Sequence, residues 1–301
     1  QDHASLLSTI KACGKYKDLS KGNHIYEYIA QRGFLHTDTY VASAMITMYA
    51  RCNALSKAKQ VFNDIPVQIR NVVTWNALIS GHVQHGLFEE ALNLYKRMQE
   101  DDLKPDSVTF SCVLKSCATI GSCEKSQELH AEITRKGLEG DLIVGSTLIG
   151  AYSKCGSSAE AQDVFTLLPI RDVIAWTALM AGYGLQLGET ENAIHVLDEM
   201  IKEGIKPNLV TFVGVLNACS HAGLVSEGEI YFNEIRNNWG FILTPEHCTC
   251  MVDLLGRAGH IDKAISLIKK MPFHPSAVVW HSLLGACRKW GHVEFGKLAF
   301  E

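Results

Sequence analysis

The stretch that decides the fold is Val72-Val-Thr-Trp-Asn-Ala-Leu-Ile-Ser-Gly81, because variants of it return further along the chain. It comes back as Val173-Ile-Ala-Trp-Thr-Ala-Leu-Met-Ala-Gly182 and, more loosely, as Ala277-Val-Val-Trp-His-Ser-Leu-Leu-Gly-Ala286. Trp75 and Ile79 are spaced so that they lie on one face of an α-helix. A motif that recurs in this way predicts a protein built of repeated units.

Two shorter motifs recur with a similar periodicity. Met48-Tyr-Ala-Arg-Cys52 returns as Ala151-Tyr-Ser-Lys-Cys155, and Lys11-Ala-Cys13 returns as Lys115-Ser-Cys117 and Asn217-Ala-Cys219. Aligning all the matches divides the chain into eight units of 31 to 36 residues and a partial ninth. These units are residues 3–38, 39–71, 72–106, 107–141, 142–172, 173–208, 209–244, 245–276 and, for the partial unit, 277–301.

Each unit is predicted to form a hairpin of two α-helices. In unit 72–106 the first apolar stripe ends before Gly86, and a second stripe follows at Ala91, Leu92, Leu94, Tyr95 and Met98. Lys104-Pro105-Asp106 then closes the unit, because proline disfavours a helical conformation in the residue before it. One hairpin cannot bury both of its faces, whereas stacked hairpins can. The sequence therefore predicts an all-α fold, an α-solenoid of helix-turn-helix repeats.

The composition agrees with a large folded protein and limits its partners. Of 301 residues 47% are hydrophobic, which is enough for a sizeable core. The net charge of −4 argues against strong nonspecific binding to nucleic acid, so such binding must come from a few placed cations. No apolar run reaches the roughly 18 residues of a membrane span, and we expect no membrane association. The ten cysteines form no Cys-x-x-Cys pair, and we expect reduced thiols, no metal and no cofactor.

The start of unit 72–106, its Lys-Pro-Asp end and the Met48–Cys52 box together resemble the pentatricopeptide repeat family. The alternating unit lengths are similar to the plant subclass that cycles long, short and standard units. Residues 245–276 resemble its terminal short unit, and 277–301 resemble the truncated start of the extension motif that follows. The resemblance implies a right-handed superhelix with long units 3–38, 107–141 and 209–244, short units 39–71, 142–172 and 245–276, and standard units 72–106 and 173–208.

In that family each repeat contacts about one base of single-stranded RNA. The fifth and the last residue of a unit contact the base edge, and the second residue packs against the base face. The implied base-reading residues are Ser43, Asn71, Asn76, Asp106, Ser111, Asp141, Ser146, Asp172, Thr177, Asn208 and Thr249. The implied base-packing residues are Tyr40, Val73, Val108, Ile143, Ile174 and Val210. The candidate phosphate contacts share the thirteenth position of the short units and are Arg51, Lys154 and Arg257.

The pairs of fifth and last residues imply base preferences. The resemblance implies adenine under units 39–71 and 173–208, uracil under 72–106, guanine under 142–172, and weakly guanine under 107–141. The family binds with its N-terminus toward the RNA 5′ end, so the implied core is 5′-AUNGA-3′. Three units carry unusual pairs, for which no preference is implied: Leu7 with Asp38, Val213 with Thr244, and Thr249 with Ser276.

The residue types also suit base recognition on chemical grounds. A hydroxyl or amide at a fixed helix position can both donate and accept a hydrogen bond, whereas asparagine and aspartate differ in donor character. Stacking on an aromatic side chain contributes about 1–3 kcal/mol per base, and aliphatic side chains should contribute less. Solvation alone does not explain why one polar position recurs among apolar neighbours. A helix-capping role for the unit-end residues is compatible with base contact.

The resemblance implies a sequence-specific RNA-binding protein of mitochondria or chloroplasts that selects sites of C-to-U RNA editing. Its implied partners are single-stranded organellar RNA and either small accessory editing proteins or a deaminase-like protein or domain. Two alternatives stay open: a protein-interaction solenoid, and an RNA processing or stability factor without an editing role. No catalytic motif is recognisable, so we expect neither an enzyme nor a small-molecule substrate. The chain starts at Gln1 without a transit peptide and is expected to be a fragment.

Several recurring residues have both a structural and a functional interpretation, and the structural one is favoured. The tryptophans at the fourth position are expected in the hairpin core: Trp75, Trp176 and Trp280. The cysteines expected to pack between helices are Cys13, Cys117, Cys219 and Cys287. The spacing of zinc ligands is not met at His247, Cys248 and Cys250. His130-Ala-Glu132 lacks the Pro-Cys-x-x-Cys half of a zinc-deaminase signature.

Overall fold

The computed structural model describes residues 3–186 and 188–294, and this part of the chain contains helices and no β-strand. The α-helices are α1 (His3–Tyr16), α2 (Leu19–Gln31), α3 (Thr39–Arg51), α4 (Leu55–Asp64), α5 (Val72–Gln84), α6 (Phe88–Glu100), α7 (Ser107–Ile120), α8 (Cys123–Arg135), α9 (Leu142–Cys155), α10 (Ser158–Leu167), α11 (Val173–Leu185), α12 (Thr190–Lys202), α13 (Leu209–Ala222), α14 (Val225–Asn237), α15 (Pro245–Arg257), α16 (Ile261–Lys269) and α17 (Ala277–Trp290). Two short 3-10 helices lie in connections, Phe34–His36 and Val67–Ile69. The prediction of an all-α fold is confirmed.

Each odd-numbered helix begins at the first residue of a predicted unit, and we call these the first helices. The even-numbered helices are the second helices of the hairpins. The residue before a first helix often fixes its start by capping it. The Thr74 backbone N–H donates to Asn71 Oδ1 at 3.1 Å, and the Thr109 N–H donates to Asp106 Oδ1 at 2.9 Å. Such a cap contributes about 1 kcal/mol to stability.

The tryptophans of the two standard units lie in the core. Trp75 and Trp176 are each 1% exposed, which confirms their predicted core position, while Trp280 is partly exposed. Trp75 meets Phe62 edge-on and Trp176 meets Phe165 edge-on, with ring centroids 4.6 Å apart in both pairs. Aromatic pairs of this geometry contribute roughly 0.5–1.5 kcal/mol beyond burial. They join each of these units to the second helix of the unit before it.

The recurring cysteines lie in first helices and are buried as predicted: Cys13, Cys117, Cys219 and Cys287. Burial raises the pKa of the Cys219 thiol to about 11. A thiol with so high a pKa stays protonated and unreactive at neutral pH. These cysteines therefore act as small apolar packing residues.

The first helices of two long units end at the same type of residue. Gly121 follows α7 with a φ of 79°, and Gly223 follows α13 with a φ of 72°. A Cβ atom added at either position would meet no atom within 4 Å. The need for glycine therefore comes from the left-handed backbone, which residues with a Cβ adopt only under strain.

The chain divides into an N-terminal body, residues 1–151, and a C-terminal body, residues 152–301. In the N-terminal body α3 packs on α1 and α5, and α5 packs on α7. In the C-terminal body α13 packs on α11 and α15, and α15 packs on α17. Within each body the first helices of successive units thus stack in chain order, as predicted for hairpin repeats. Among the helices of residues 3–186 and 188–294, none combines the length and apolar character required to cross a membrane.

Candidate nucleic-acid interface

The predicted base-packing residues all lie in the first turn of a first helix and are exposed: Tyr40, Val73, Val108, Ile143, Ile174 and Val210. Their exposed fractions range from 46% for Val73 to 67% for Tyr40. Single exposed apolar side chains are common on protein surfaces, but six at the same position of six consecutive units form a pattern. Within each body these side chains offer apolar surface to flat ligands. The exposed Glu246 interrupts the series in unit 245–276.

A groove of about 650 Å³ in the N-terminal body collects residues of all three predicted classes. Its walls include base-packing, base-reading and phosphate candidates, among them Tyr40, Val73, Val108, Ser43, Asn76 and Arg51. Two lysines that sequence reasoning missed also line it, Lys11 and Lys15. Lys15 holds the thirteenth position of unit 3–38, so the signal that identified Arg51 could have identified it. Apolar, hydrogen-bonding and cationic side chains therefore meet around one groove.

The predicted pair of unit 72–106 is directly hydrogen-bonded. Asn76 Nδ2 donates to Asp106 Oδ1 at 2.9 Å, and the Thr109 hydroxyl donates to Asn76 Oδ1 at 2.6 Å. These contacts hold the Asn76 amide, which is only 7% exposed, in one orientation. An amide carries two N–H donors and an oxygen with two lone pairs. One donor and one lone pair of Asn76 therefore remain for a ligand.

A hydrogen-bond chain orients the pair of unit 173–208. The Thr211 hydroxyl donates to Asn208 Oδ1 at 3.2 Å and lies 3.0 Å from the Thr177 hydroxyl. Either hydroxyl can be the donor in the contact between Thr177 and Thr211. A hydroxyl carries one proton and two lone pairs, so Thr177 keeps at least one lone pair for a ligand group that donates a hydrogen bond.

The serines and the threonine at the other fifth positions have different surroundings. The hydroxyls of Ser43 and Thr249 donate to backbone carbonyls of their own helices, at 3.0 and 2.8 Å. The Ser111 hydroxyl lies 3.1 Å from that of Thr147. The Ser146 hydroxyl is buried and has no hydrogen-bond partner among the described residues. A buried polar group without a partner is unfavourable.

Each unit-end residue caps a helix with one terminal side-chain atom and has a second terminal atom for other contacts. Oδ1 accepts the capping hydrogen bond in each of Asn71, Asp106, Asp141, Asp172 and Asn208. The second atom is the donor Nδ2 in asparagine and the acceptor Oδ2 in aspartate. In Asp141 this oxygen also accepts from the Ser107 hydroxyl at 2.8 Å. Capping therefore does not use the side-chain atom by which asparagine and aspartate differ. This atom remains available in Asn71, Asp106, Asp172 and Asn208.

The candidate phosphate contacts differ in how freely they present their charge. Arg51 and Lys154 are exposed, and Arg51 lines the N-terminal groove. Arg257 is also exposed, but its Nε donates to Asp253 Oδ2 at 2.7 Å. Asp253 Oδ2 accepts a second hydrogen bond from the Ser220 hydroxyl at 2.6 Å. The carboxylate partly neutralises Arg257, so Arg51 and Lys154 are the better candidates.

The residues around His247 have structural partners. His247 Nδ1 lies 2.7 Å from the Thr244 hydroxyl, and Nε2 lies 2.9 Å from the carbonyl oxygen of Leu209. Burial raises the pKa of Cys248 to about 11 and that of Cys250 to about 12. Both ring nitrogens of His247 therefore have partners within the protein. Within the described ranges, no group of three or more His, Cys, Asp or Glu residues could hold a metal ion.

Family models identify the repeats. A model described as the PPR repeat family matches residues 70–119 and 171–221. A second model, the PPR repeat, matches residues 40–67, 108–138, 146–171, 210–239 and 246–274. The chain belongs to the pentatricopeptide repeat family. It is accordingly an array of pentatricopeptide repeats.

Relatives in Arabidopsis thaliana are similar over most of the chain. It is 39% identical to pentatricopeptide repeat-containing protein CRR2, chloroplastic, over 99% of the chain and 46% of that protein. It is 36% identical to putative pentatricopeptide repeat-containing protein At3g11460, mitochondrial, over 99% of the chain and 47% of that protein. The chain thus spans less than half the length of these relatives.

A solved structure shares the fold. The crystal structure of the pentatricopeptide repeat protein PPR10 in complex with an 18-nt psaJ RNA element superposes with a TM-score of 0.77. The superposition covers 93% of this chain and 42% of that one, at 17% sequence identity. The helical-hairpin repeat fold predicted from the sequence is therefore confirmed.

Proposed function

We propose that this chain binds single-stranded RNA in a plant organelle, with about one base per unit and the core 5′-AUNGA-3′. The observation that carries the proposal is the recurrence, in both bodies, of an exposed apolar second-position residue in units whose fifth-position groups are hydrogen-bonded. Membership of the pentatricopeptide family and the RNA-bound state of PPR10 support it. The names of two relatives of this chain, chloroplastic CRR2 and mitochondrial At3g11460, support an organelle.

In this proposal each base is covered on its face and identified at its edge. Val73 and Val108, from neighbouring units, pack against the faces of a uracil that lies between these two side chains. Asn76 and Asp106 contact the edge of this uracil. Thr177 and Asn208 meet an adenine in the same way. Ser43 with Asn71 and Ser146 with Asp172 serve the remaining specified bases. Lys11, Lys15 and Arg51 bind phosphates near the N-terminal end, where the groove collects them.

The unit lengths favour the plant subclass of long, short and standard units, and with it selection of C-to-U editing sites. The deamination itself would come from a deaminase-like domain or partner, with accessory editing proteins assisting. Because few cations line the N-terminal groove, few counterions should be released on binding. We therefore expect an affinity that depends on base identity more than on salt concentration.

The test compares two RNAs and two proteins. Short single strands carrying AUNGA or AUNGG are titrated with the wild type and with Asn208→Asp, by fluorescence anisotropy. Aspartate caps a helix about as well as asparagine, so the variant should keep its fold. We expect wild type to prefer the terminal A and the variant to prefer G, each by about tenfold, or about 1.4 kcal/mol.

Two results would contradict the proposal. Equal binding of both RNAs by the wild type would show that unit 173–208 does not read this base. No binding of either RNA would favour a protein-interaction solenoid. If Asn208→Asp changes the preferred base from A to G but has no effect on editing in organelle extracts, an RNA processing or stability factor would be favoured instead.

A further inference from the structure

A pocket of about 290 Å³ in the C-terminal body lies between α12, α14 and the segment that follows α14. Its walls are largely apolar and aromatic and include Leu197, Ile201, Phe212, Ile230, Tyr231 and Trp239. Three carboxylates also line it, those of Asp198, Glu227 and Glu234. None of the proposed base-reading, base-packing or phosphate residues lines this pocket, so RNA binding leaves it unexplained.

The equivalent place in the N-terminal body is occupied by a side chain of the protein itself. Aligning the buried Met98 with Met200 places Tyr95 where the pocket has Leu197, and Glu132 where it has Glu234. The Tyr95 hydroxyl donates to Glu132 Oε2 at 2.7 Å. The exchange of tyrosine for leucine therefore removes one of the internal partners that the Glu132 carboxylate has, beside Gln99 and Lys136.

The charges at this place are reversed as well. The residues equivalent to Asp198 and Glu227 are Lys96 and Lys125. Within the described part of the chain, none of the three pocket carboxylates forms an ion pair, and no lining residue is basic. Burial and then the fields of these carboxylates raise the pKa of Tyr231 to about 12. The pocket is therefore strongly favourable to a cation.

We propose that this pocket binds an arginine side chain of a partner protein. A guanidinium is planar, so it can stack on an aromatic ring while its edge donates to carboxylates. Tyr231 and Trp239 supply the rings, and Glu227 and Glu234 supply acceptors. Ile201 and Ile230, 42% and 56% exposed, flank the pocket and offer apolar contact to the rest of the partner segment. RNA does not fit, because its phosphates would meet the carboxylates.

The test uses the peptide acetyl-Gly-Ser-Arg-Ser-Gly-amide, which presents one arginine. Binding is followed by the NMR shift of the Trp239 indole N–H in the full chain, assigned with Trp239→Phe. We expect saturable binding, and about tenfold weaker binding of the same peptide with neutral citrulline in place of arginine. The double variant Asp198→Lys, Glu227→Lys restores the charges of the N-terminal body and should abolish the shift.

The control variant is Glu191→Lys, which changes an exposed acidic residue of α12 outside the pocket. It should bind the peptide like the wild type, and circular dichroism should show the same helix content in all variants. Equal binding of the citrulline peptide, or undiminished binding by the double lysine variant, would overturn the proposal. Loss of AUNGA binding in the double variant would also overturn it, because the pocket would then serve RNA. The proposal does not depend on RNA recognition, so the two can fail separately.

Discussion

Residues 39–141 and 142–244 each contain three successive units, and they agree in their core while differing on their second helices. Phe62 meets Trp75 as Phe165 meets Trp176, and Arg70 and Arg171 each lie 4.8 Å from the neighbouring phenylalanine ring. The Tyr95–Glu132 hydrogen bond of the first stretch has no counterpart in the second. A few shared contacts thus maintain the hairpins, and the remaining surface can take on different partners.

The largest effect on stability is expected in the core, where the two stretches agree. Trp75→Ala and Trp176→Ala each remove a side chain that is 1% exposed, and each should lower the free energy of unfolding by about 3–5 kcal/mol. Urea denaturation followed by circular dichroism measures both. Val73→Ala is the control, because it truncates an exposed side chain and should change stability by less than about 0.5 kcal/mol. If the two variants lose unequal amounts of unfolding free energy, the cores of the two stretches are not equivalent.

The next effect concerns base identity in the first stretch. Asp106→Asn keeps a helix-capping oxygen but exchanges the acceptor Oδ2 for a donor. We expect nearly unchanged stability and about tenfold weaker preference for uracil under unit 72–106, measured with RNAs that vary only this base. Asp106→Ala is the contrast, since it should lose stability together with the preference. An unchanged preference in Asp106→Asn would show that the unit end does not contact the base.

A smaller effect on the free energy of unfolding should distinguish the second helices of the two stretches. Tyr95→Phe removes the donor to Glu132 and should cost about 1 kcal/mol in the free energy of unfolding. Tyr231→Phe is the same chemical change at a different position of the C-terminal body, where burial and nearby charges, but no hydrogen bond, act on the hydroxyl. Its effect on stability should be under about 0.5 kcal/mol. Equal losses in urea titrations would mean that the two tyrosines are held alike.

The smallest signal is the ionisation of Tyr231. Ultraviolet absorbance of the wild type minus that of Tyr231→Phe should show a phenol that titrates near pH 12 rather than 10. Since the unfolded chain releases this proton first, the contribution of Tyr231 to stability should fall as the pH rises from 10 toward 12. Asp198→Lys with Glu227→Lys should lower the midpoint. A midpoint near 10 in the wild type would place the phenol in water, away from the carboxylates.

The first helices could be predicted from the sequence because their start signals are local. Asn71, Asp106 and Asn208 stand next to the helix that they cap, and a proline precedes two of them. The apolar period then identifies the buried face, including Trp75 and Trp176. Local signals of this kind survive in any sequence that forms the hairpin.

Contacts between units could not be predicted in this way. The link from Thr177 through Thr211 to Asn208 and the donation from Thr109 to Asn76 depend on how neighbouring helices pack. The pocket at α12 and α14 depends on residue 197 being a leucine and not a tyrosine. A leucine in the sequence does not indicate that a cavity lies beside it. The register of one unit against the next decides such features, and spacing along the chain does not determine it.

The capping role of the unit-end residues has a consequence for how such proteins change over time. Asparagine and aspartate cap helices about equally well, yet their outward atoms have opposite hydrogen-bonding character. At Asn208 a single nucleotide change in the gene can exchange one for the other without loss of folding. Under the proposed mode of RNA recognition, selection on the target can therefore act on this residue while selection on stability is indifferent to it. Such positions allow a duplicated copy to acquire a new target without first becoming a weaker protein.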